Sequence, residues 1–230
     1  MRPLIIGHRG ASAYALENTS SSFQLAANLG VDMVELDVHE SFDGEFVVIH
    51  DRDLRRISGR KEVVRETHSK ILRSIELYNG EKLLLLGEVF EFLPDRIGIL
   101  VELKCIRHSQ KMADFIAAHS SDRAVLLASF DLALIRSLQD CNSALPLGII
   151  AHNLTNITKA RSMKISFGHV CLDFQAVNAR SVEELKRHNQ KIYAWTLDRP
   201  EDIRSMVSLG VDGIISNRPD EVSKVLERTC

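Results

Sequence analysis

The sequence predicts an α/β fold, a (β/α)8 TIM barrel with a β-hairpin arm and a small inserted cap, from three observations. After Leu4, short β-branched or leucine-rich runs alternate with longer amphipathic ones, which is typical of parallel βα units. Eight such short runs remain when a hairpin arm is left out. Polar residues follow several of these runs, at the strand ends where barrel enzymes place their active sites. At 230 residues, the chain is expected to form a single domain spanning residues 1–230.

The strands are expected in a regular order along the chain. The first begins at Leu4, and the second, 33–38, follows a helix that Asn18 or Thr19 would cap and Gly30 would end. A repeated Leu-Gly-Val-Asp, at 29–32 and 209–212, would close a helix and open a strand twice. The remaining strands are predicted at 97–103, 124–129, 147–151, 169–173, 191–197 and 213–216.

Three later helices have start signals. Ser181 and Glu184 have the spacing of a capping box, Pro200 follows Asp198-Arg199, and Pro219 would begin the last helix.

The link after the second strand contains Asp43-Gly44, a strong hairpin signal, and is too short for a crossover helix. A turn centred on these two residues would bring position 50 roughly opposite position 37. The following segment, 52–82, is rich in charge and contains one predicted helix, 69–77. We expect it to form a small cap inserted over the site.

Composition excludes several classes of protein. A net charge of -2 and a pI near 6.5 give no field for binding nucleic acid. The longest aliphatic run is 83–86, so neither a membrane anchor nor a signal peptide is expected, and the chain is predicted to be cytoplasmic. Without a Gly-x-Gly-x-x-Gly or Walker pattern, nucleotide binding has little support. Four widely spaced cysteines are interpreted as structural or incidental thiols: Cys105, Cys141, Cys171 and Cys230.

Three carboxylates indicate a metal site. Glu35 and Asp37 are two residues apart, so on a strand they share one face, as do Glu102 and Lys104 on a later strand. A lone Glu-x-Asp is more often a solvated strand edge, but here apolar residues occupy the opposite face. Carboxylates without a cysteine or histidine cluster suit Mg²⁺, Ca²⁺ or Mn²⁺ better than zinc.

Two histidines at strand ends indicate acid–base chemistry. His8 and His50 could each simply close a strand, but beside the carboxylates they can divide base and acid duties near neutral pH. Arg9 and Lys104 would stabilise a phosphorane-like transition state. Trp195 is expected in the core or in a pocket wall. The other histidines are expected on surfaces or helix faces: His39, His68, His108, His119, His152, His169 and His188.

With these residues, the sequence resembles the glycerophosphodiester phosphodiesterase family. The matches run in the family's order along nearly the whole chain: His8-Arg9-Gly10, Glu17-Asn18-Thr19, Gly30-Val31-Asp32, Glu35-x-Asp37, Asp43-Gly44, Val47-Val48, His50-Asp51, Leu54-x-Arg56, Glu102-x-Lys104, Ser129-Phe130, Trp195-Thr196 and Gly213-Ile214-Ile215. It departs from the family at Leu16, where a proline is common, at 84–88, and at Asn217, where an aspartate is usual.

The resemblance implies hydrolysis of small glycerophosphodiesters to sn-glycerol 3-phosphate and an alcohol, with His8 and His50 as the acid–base pair. It also implies one divalent cation, Mg²⁺ or Ca²⁺ with Mn²⁺ as a third candidate, held by Glu35, Asp37 and Glu102. Arg9, Lys104, Trp195 and Phe130 are expected to contact substrate. Two alternatives stay open, a lysophospholipase D-type hydrolase and a non-catalytic barrel that binds a phosphorylated ligand. Homo-oligomerisation is also left open.

Overall fold

The computed structural model describes residues 2–120 and 123–227. Within them, eight parallel strands close into a barrel, because β1 (Leu4–Gly7) pairs with β2 (Met33–Glu40) on one side and with the last strand on the other. The predicted fold class is therefore confirmed. The other strands are β3 (Phe46–Val48), β4 (Gly98–Cys105), β5 (Val125–Ser129), β6 (Leu147–Ala151), β7 (His169–Asp173), β8 (Lys191–Trp195) and β9 (Gly213–Ser216).

Helices lie in the connections between the strands, two of them within the segment 52–82. Along the described chain they are α1 (Ser20–Asn28), α2 (Arg55–Ser58), α3 (Ser69–Leu72), α4 (Leu86–Phe92), α5 (Ser109–His119), α6 (Leu132–Cys141), α7 (Leu154–Ser162), α8 (Ala179–Arg187), α9 (Pro200–Leu209) and α10 (Pro219–Glu227). Two short 3-10 turns, Val64–Glu66 and Phe174–Ala176, complete the set. Within residues 2–120 and 123–227, no helix is long and apolar enough to cross a membrane.

The repeated Leu-Gly-Val-Asp corners work as predicted. Gly30 and Gly210 end α1 and α9 with φ of 78° and 75°, a left-handed conformation that glycine adopts without strain. The aspartate after each corner then accepts a backbone N–H from a neighbouring strand: Asp32 from Ile5 at 2.8 Å and Asp212 from Ile192 at 2.9 Å. Each repeat therefore joins a helix end to a strand pair.

Helix starts are confirmed at two of three predicted places. Pro200 and Pro219 are the first residues of α9 and α10. The predicted capping box of Ser181 and Glu184 is wrong. Asn178 caps α8 and exchanges hydrogen bonds with Ser181, because the helix begins one turn earlier than the serine suggested.

The hairpin arm is confirmed, but its register differs by one residue from the prediction. Strand β3 runs antiparallel to β2 with Val38 opposite Val48, and Ile49 donates its N–H to the Asp37 carbonyl at 2.9 Å. The backbone N–H of Gly44 donates to the Ser41 carbonyl and closes a turn, and Gly44 itself has a φ of 82°. This is a three-residue loop ending in a left-handed glycine, so the two-residue turn assumed from Asp43-Gly44 was wrong.

Residues 52–82, which we call the cap, contain less helix than predicted. The helix at 69–77 ends at Leu72, and the chain then turns back through a bridge between Glu76 and Lys82. The cap has its own apolar cluster, which it shares with the arm: Val47, Ile49, Leu54, Ile57, Val64, Leu72, Ile75, Leu77 and Leu83. Burial of these side chains holds the cap on the arm.

The inside of the barrel changes character along its axis. Its lower layers are apolar, with Ile6, Met33 and Leu100 packed among inward side chains of the other strands. Two residues further along the strands, the inward positions carry polar or aromatic groups, such as His8 after Ile6 and Glu102 after Leu100. The site therefore lies on a packed floor.

Candidate active site

A cavity of about 300 Å³ opens at the carboxyl ends of the strands. This is at the small end of the range for ligand pockets. It is lined by His8, Arg9, Glu35, His50, Leu100, Glu102, Lys104, Phe130, Ile150, His152, Cys171, Trp195, Thr196 and Ile215. Six of the seven predicted catalytic and metal residues line it, and the seventh, Asp37, lies directly beneath in contact with Arg9 and Lys104.

Glu35, Asp37 and Glu102 form one acidic cluster, with a carboxylate oxygen from each lying within 4.8 Å of the others. Burial raises the pKa of Glu35 well above its usual range, and the charges of Asp37 and Glu102 raise it further. Burial and Asp37 also raise the pKa of Glu102. For Asp37, the cations Lys104 and Arg9 outweigh burial and lower the pKa. The cluster is electrostatically costly without additional positive charge.

The donor set fits a hard divalent cation. Oε1 of Glu35 is buried and has no hydrogen-bond partner among the described residues, although buried carboxylate oxygens are normally paired. A cation bound by the three carboxylates would give this oxygen a partner and offset the mutual repulsion of the cluster. Oxygen-only ligands of this kind suit Mg²⁺, Ca²⁺ or Mn²⁺.

Arg9 and Lys104 flank the acidic cluster. Nζ of Lys104 lies 3.0 Å from Oδ1 of Asp37 and also bonds Glu102. Nε of Arg9 lies 3.1 Å from Oδ2 of Asp37, and its backbone N–H donates to Glu35 at 2.8 Å. Arg9 has φ of 52°, so its backbone is held in a left-handed conformation that is uncommon outside glycine. Both side chains line the cavity and can contact an anionic ligand there.

His8 follows β1 and presents Nε2 to the cluster, 3.9 Å from Glu35. Its Nδ1 lies 2.6 Å from Oδ1 of Asn217, an acceptor, so Nδ1 carries the proton and Nε2 has a free lone pair. Burial lowers the pKa of His8, and the charge of Arg9 lowers it further, although the bond to Asn217 acts in the opposite direction. The ring is therefore neutral at neutral pH and suited to accept a proton.

His50 reaches the cavity from the loop after β3. Its Nδ1 lies 2.7 Å from Oδ1 of Asp51, so Nδ1 donates and Nε2 is the free nitrogen. The Asp51 carboxylate can balance the charge of a protonated His50 ring. The structure therefore gives the two histidines different partners, a neutral amide for His8 and a carboxylate for His50.

An aromatic wall faces this charged group. The ring centroids of Phe130 and Trp195 are 5.8 Å apart at 89°, and the His152 ring lies 5.2 Å from each of them. The indole N–H of Trp195 is buried and makes no hydrogen bond within the described residues. Trp195 and Phe130 thus line the cavity, so that of the two places expected for Trp195 it takes the pocket wall, with an indole donor that has no described partner.

One histidine expected on a surface or helix face was placed wrongly, and another has a role that was not expected. His39 is buried in β2, with Nε2 3.0 Å from the His50 carbonyl. His152 is exposed, as expected, but its ring forms part of the aromatic wall of the cavity. The signal for His152 was present, since it lies two residues after the inward-facing Ile150. Cys171 forms part of the cavity floor, and Cys230 lies outside the described residues.

Two supporting asparagines were not predicted as parts of the site. Asn18 has φ of 58°, and its side chain donates to Asp37 at 2.9 Å, so it supports the acidic cluster while Thr19 caps α1. Asn217, where the family usually has aspartate, bonds His8 and donates to Asp198 at 2.6 Å. A carboxylate is therefore present, one residue removed from the histidine.

Comparison with known proteins agrees with this geometry. The profile of the glycerophosphoryl diester phosphodiesterase family matches residues 8–221. A glycerophosphodiester phosphodiesterase of Caldanaerobacter subterraneus subsp. tengcongensis is 27% identical over 243 aligned positions, covering 99% of each chain. The Thermotoga maritima glycerophosphodiester phosphodiesterase structure is 30% identical with a TM-score of 0.80, covering 98% of this chain and 99% of that chain. An Oleispira antarctica phosphodiesterase, solved with the product sn-glycerol-3-phosphate, has a TM-score of 0.90 at 22% identity, covering 98% and 97%. The match over nearly the whole chain confirms the resemblance, and the chain belongs to the glycerophosphoryl diester phosphodiesterase family.

Proposed function

We propose that the chain hydrolyses glycerophosphodiesters to sn-glycerol 3-phosphate and an alcohol. One observation carries the proposal: two histidines with free Nε2 atoms, a buried carboxylate cluster and two cations meet in one small cavity. A barrel that only binds a phosphorylated ligand does not need an acid–base pair. Family membership and the product found in the Oleispira antarctica enzyme support the same reaction.

Glu35, Asp37 and Glu102 would hold one divalent cation, Mg²⁺ or Ca²⁺ with Mn²⁺ as a third candidate. When bound, it would neutralise charge on a phosphate oxygen and lower the pKa of the attacking hydroxyl. Arg9 and Lys104 bind and orient the other phosphate oxygens from the cavity wall.

His8 acts as the base and His50 as the acid in this proposal. Nε2 of His8 removes the proton from the attacking oxygen, and Nε2 of His50 gives a proton to the leaving alcohol. The attacking oxygen belongs either to the glycerol 2-hydroxyl, which gives a cyclic phosphate that water then opens to glycerol 3-phosphate, or to water directly. Trapping a cyclic glycerophosphate with a histidine variant distinguishes these routes.

A lysophospholipase D-type activity is the second candidate, favoured by one observation. Ile71 and Tyr78 of the cap leave 52% and 70% of their surface exposed, which would suit contact with a lipid chain. The cavity itself is small and its charged side is polar, which favours deacylated substrates. Phe130 and Trp195 would contact the organic part of either substrate.

The test is release of choline and glycerol 3-phosphate from glycerophosphocholine, with and without a chelator, beside release of choline and lysophosphatidic acid from lysophosphatidylcholine at the same concentration. We expect turnover of glycerophosphocholine that the chelator abolishes and that added Mg²⁺, Ca²⁺ or Mn²⁺ restores. Faster turnover of lysophosphatidylcholine would favour the second candidate. No turnover of either substrate with any of the three cations would contradict both. Cytoplasmic location, a single domain with a cap at 52–82, and homo-oligomerisation stay predictions.

A further inference from the structure

Arg56 lies on α2 in the cap, outside the cavity lining, yet its guanidinium contacts two carboxylates that come from different parts of the site. Nε donates to Oδ2 of Asp51 at 2.7 Å. Nη1 and Nη2 donate to the two oxygens of Glu17, each at 2.7 Å. One side chain therefore joins the loop after β3 to the loop after β1.

The first carboxylate leads to His50. Oδ2 of Asp51 accepts from Arg56 while Oδ1 lies 2.7 Å from Nδ1 of His50. With both oxygens engaged, the carboxylate cannot turn without breaking one of these bonds. Its orientation fixes the tautomer of His50 and the direction of the free Nε2.

The second carboxylate leads to Arg9. Oε1 of Glu17 accepts from Nη2 of Arg56 at 2.7 Å and from Nη1 of Arg9 at 2.9 Å. Arg9 lines the cavity, and its Nε faces Asp37. Glu17 therefore holds the guanidinium that faces the phosphate position.

We propose that Arg56 is a positioning residue that aligns His50 through Asp51 and Arg9 through Glu17. The inference rests on the proposed function, since it takes His50 as the acid and Arg9 as a phosphate contact. It gives the cap a role in the reaction, although no described residue of 52–82 lines the cavity. The role requires arginine, because the three donors leave one planar group in different directions, whereas an ammonium is a single point of charge.

Geometry favours positioning over a purely structural role. The Arg56 side chain is 46% exposed and outside the apolar cluster of the cap. Ion pairs with such exposure contribute little to folding stability, so removal of the guanidinium should leave the fold intact. The adjacent Arg55 provides a matched control, since it is 59% exposed and pairs with Asp53 at 3.4 Å, with no ion pair to Asp51 or Glu17 among the described residues.

The experiment measures kcat and KM for glycerophosphocholine in Arg56→Gln, Arg56→Lys, Asp51→Asn, Glu17→Gln and Arg55→Gln, with thermal unfolding of each. Losing groups that orient active-site residues typically costs 10- to 100-fold. We expect Asp51→Asn mainly to lower kcat and Glu17→Gln mainly to raise KM, each about tenfold. Arg56→Gln should show both effects, Arg56→Lys a partial recovery, and Arg55→Gln neither.

A double variant supplies the decisive comparison. If Arg56 acts on turnover through Asp51, Arg56→Gln with Asp51→Asn should have the same kcat as Asp51→Asn alone. Multiplicative losses in kcat would overturn the inference, as would wild-type kinetics of Arg56→Gln or equal effects of Arg55→Gln. If Arg56→Gln unfolds, the kcat and KM of Arg56→Lys decide, with wild-type values overturning the inference. His50→Ala separates a failure of the proposed function from a failure of the positioning role. Normal turnover of His50→Ala contradicts the proposed function itself. A large loss in His50→Ala beside normal kinetics of Arg56→Gln contradicts only the positioning role.

Discussion

The rim of the barrel has two halves that are built differently. The charged half, at the ends of β1, β2, β4 and the arm, holds its side chains by hydrogen bonds and ion pairs: His8, Arg9, Glu35, Asp37, His50, Glu102 and Lys104. The aromatic half, at the ends of β5, β6 and β8, consists of Phe130, His152 and Trp195, which contact one another through their rings. The charged half holds its polar atoms in defined positions, whereas the aromatic half presents an apolar surface to the cavity.

This difference indicates a division of labour. Chemistry on a phosphodiester needs charges and proton carriers held in defined positions, which the charged half provides. Recognition of the organic part of a substrate needs apolar area and few directed bonds, and the aromatic half provides these together with the free indole N–H. Changes to the histidines and the acidic cluster of the charged half should therefore reduce kcat, and changes in the aromatic half should raise KM.

The largest expected effect in the charged half comes from Glu35→Gln. The variant removes a ligand charge from the acidic cluster, so we expect weaker cation binding and a loss of turnover of about 10³-fold, because a bound cation contributes several kcal/mol. Calorimetric titration with Mg²⁺, Ca²⁺ and Mn²⁺ measures the first effect and steady-state assay the second. Glu45→Gln on the arm is the control, since Glu45 pairs with Lys111 away from the cavity. Unchanged cation affinity in Glu35→Gln would contradict the metal site.

The pH profile sharpens the account of His8 in the same half. Burial and Arg9 lower the pKa of His8, so its neutral form persists to lower pH than that of an ordinary histidine. We expect the acid limb of kcat/KM to lie below about pH 6.5, with activity lost as pH falls through it. An acid limb above pH 7 would disagree with a neutral, buried base. The pH profile of the residual kcat/KM of His8→Ala should lack this acid limb.

A smaller effect is expected in the aromatic half. Phe130→Leu keeps apolar volume but removes the edge contact with Trp195, so KM should rise about 3- to 10-fold while kcat stays near the wild-type value. The measurement is a full saturation curve with glycerophosphocholine. A loss confined to kcat would break the proposed separation between the halves.

The smallest effect on activity is expected away from the rim, at Asp212→Ala. This change removes the acceptor for the Ile192 N–H and should cost about 1–2 kcal/mol of unfolding free energy. Turnover of the folded variant should equal that of the wild type, as measured by urea unfolding beside the assay. Reduced turnover at full folding would show that the chemistry is not confined to the rim.

Much of the fold could be predicted from the sequence because local signals agree with the barrel. Gly30 and Gly210 mark helix ends, and the apolar runs mark the strands. The register of the arm could not be predicted, because Asp43-Gly44 fits a two-residue turn as well as a three-residue loop. The observed loop is held by a contact distant in sequence, in which the Asp43 carboxylate accepts from the backbone N–H and the hydroxyl of Ser69 in the cap.

The charged residues of the site were easier to predict than their supports. Glu35 and Asp37 could be identified by their spacing, because two carboxylates two residues apart on a strand share one face, and carboxylates on an inner face indicate a binding site. Asn18 has no such local signal, and the spacing of His152 after Ile150 is informative only once Ile150 is known to face inward. Their roles depend on which side chains from other parts of the chain lie opposite, a fact of tertiary structure. His152, after β6, meets Trp195 of β8 across β7, and Asn18 meets Asp37 across a loop.

The most direct test of the central claim is the kcat of a His8→Ala, His50→Ala double variant with glycerophosphocholine at saturating cation. If the charged half carries out acid–base hydrolysis, kcat should fall by roughly 10² to 10⁴ while cation affinity and the fold are retained. Near-normal turnover by this variant would contradict the account.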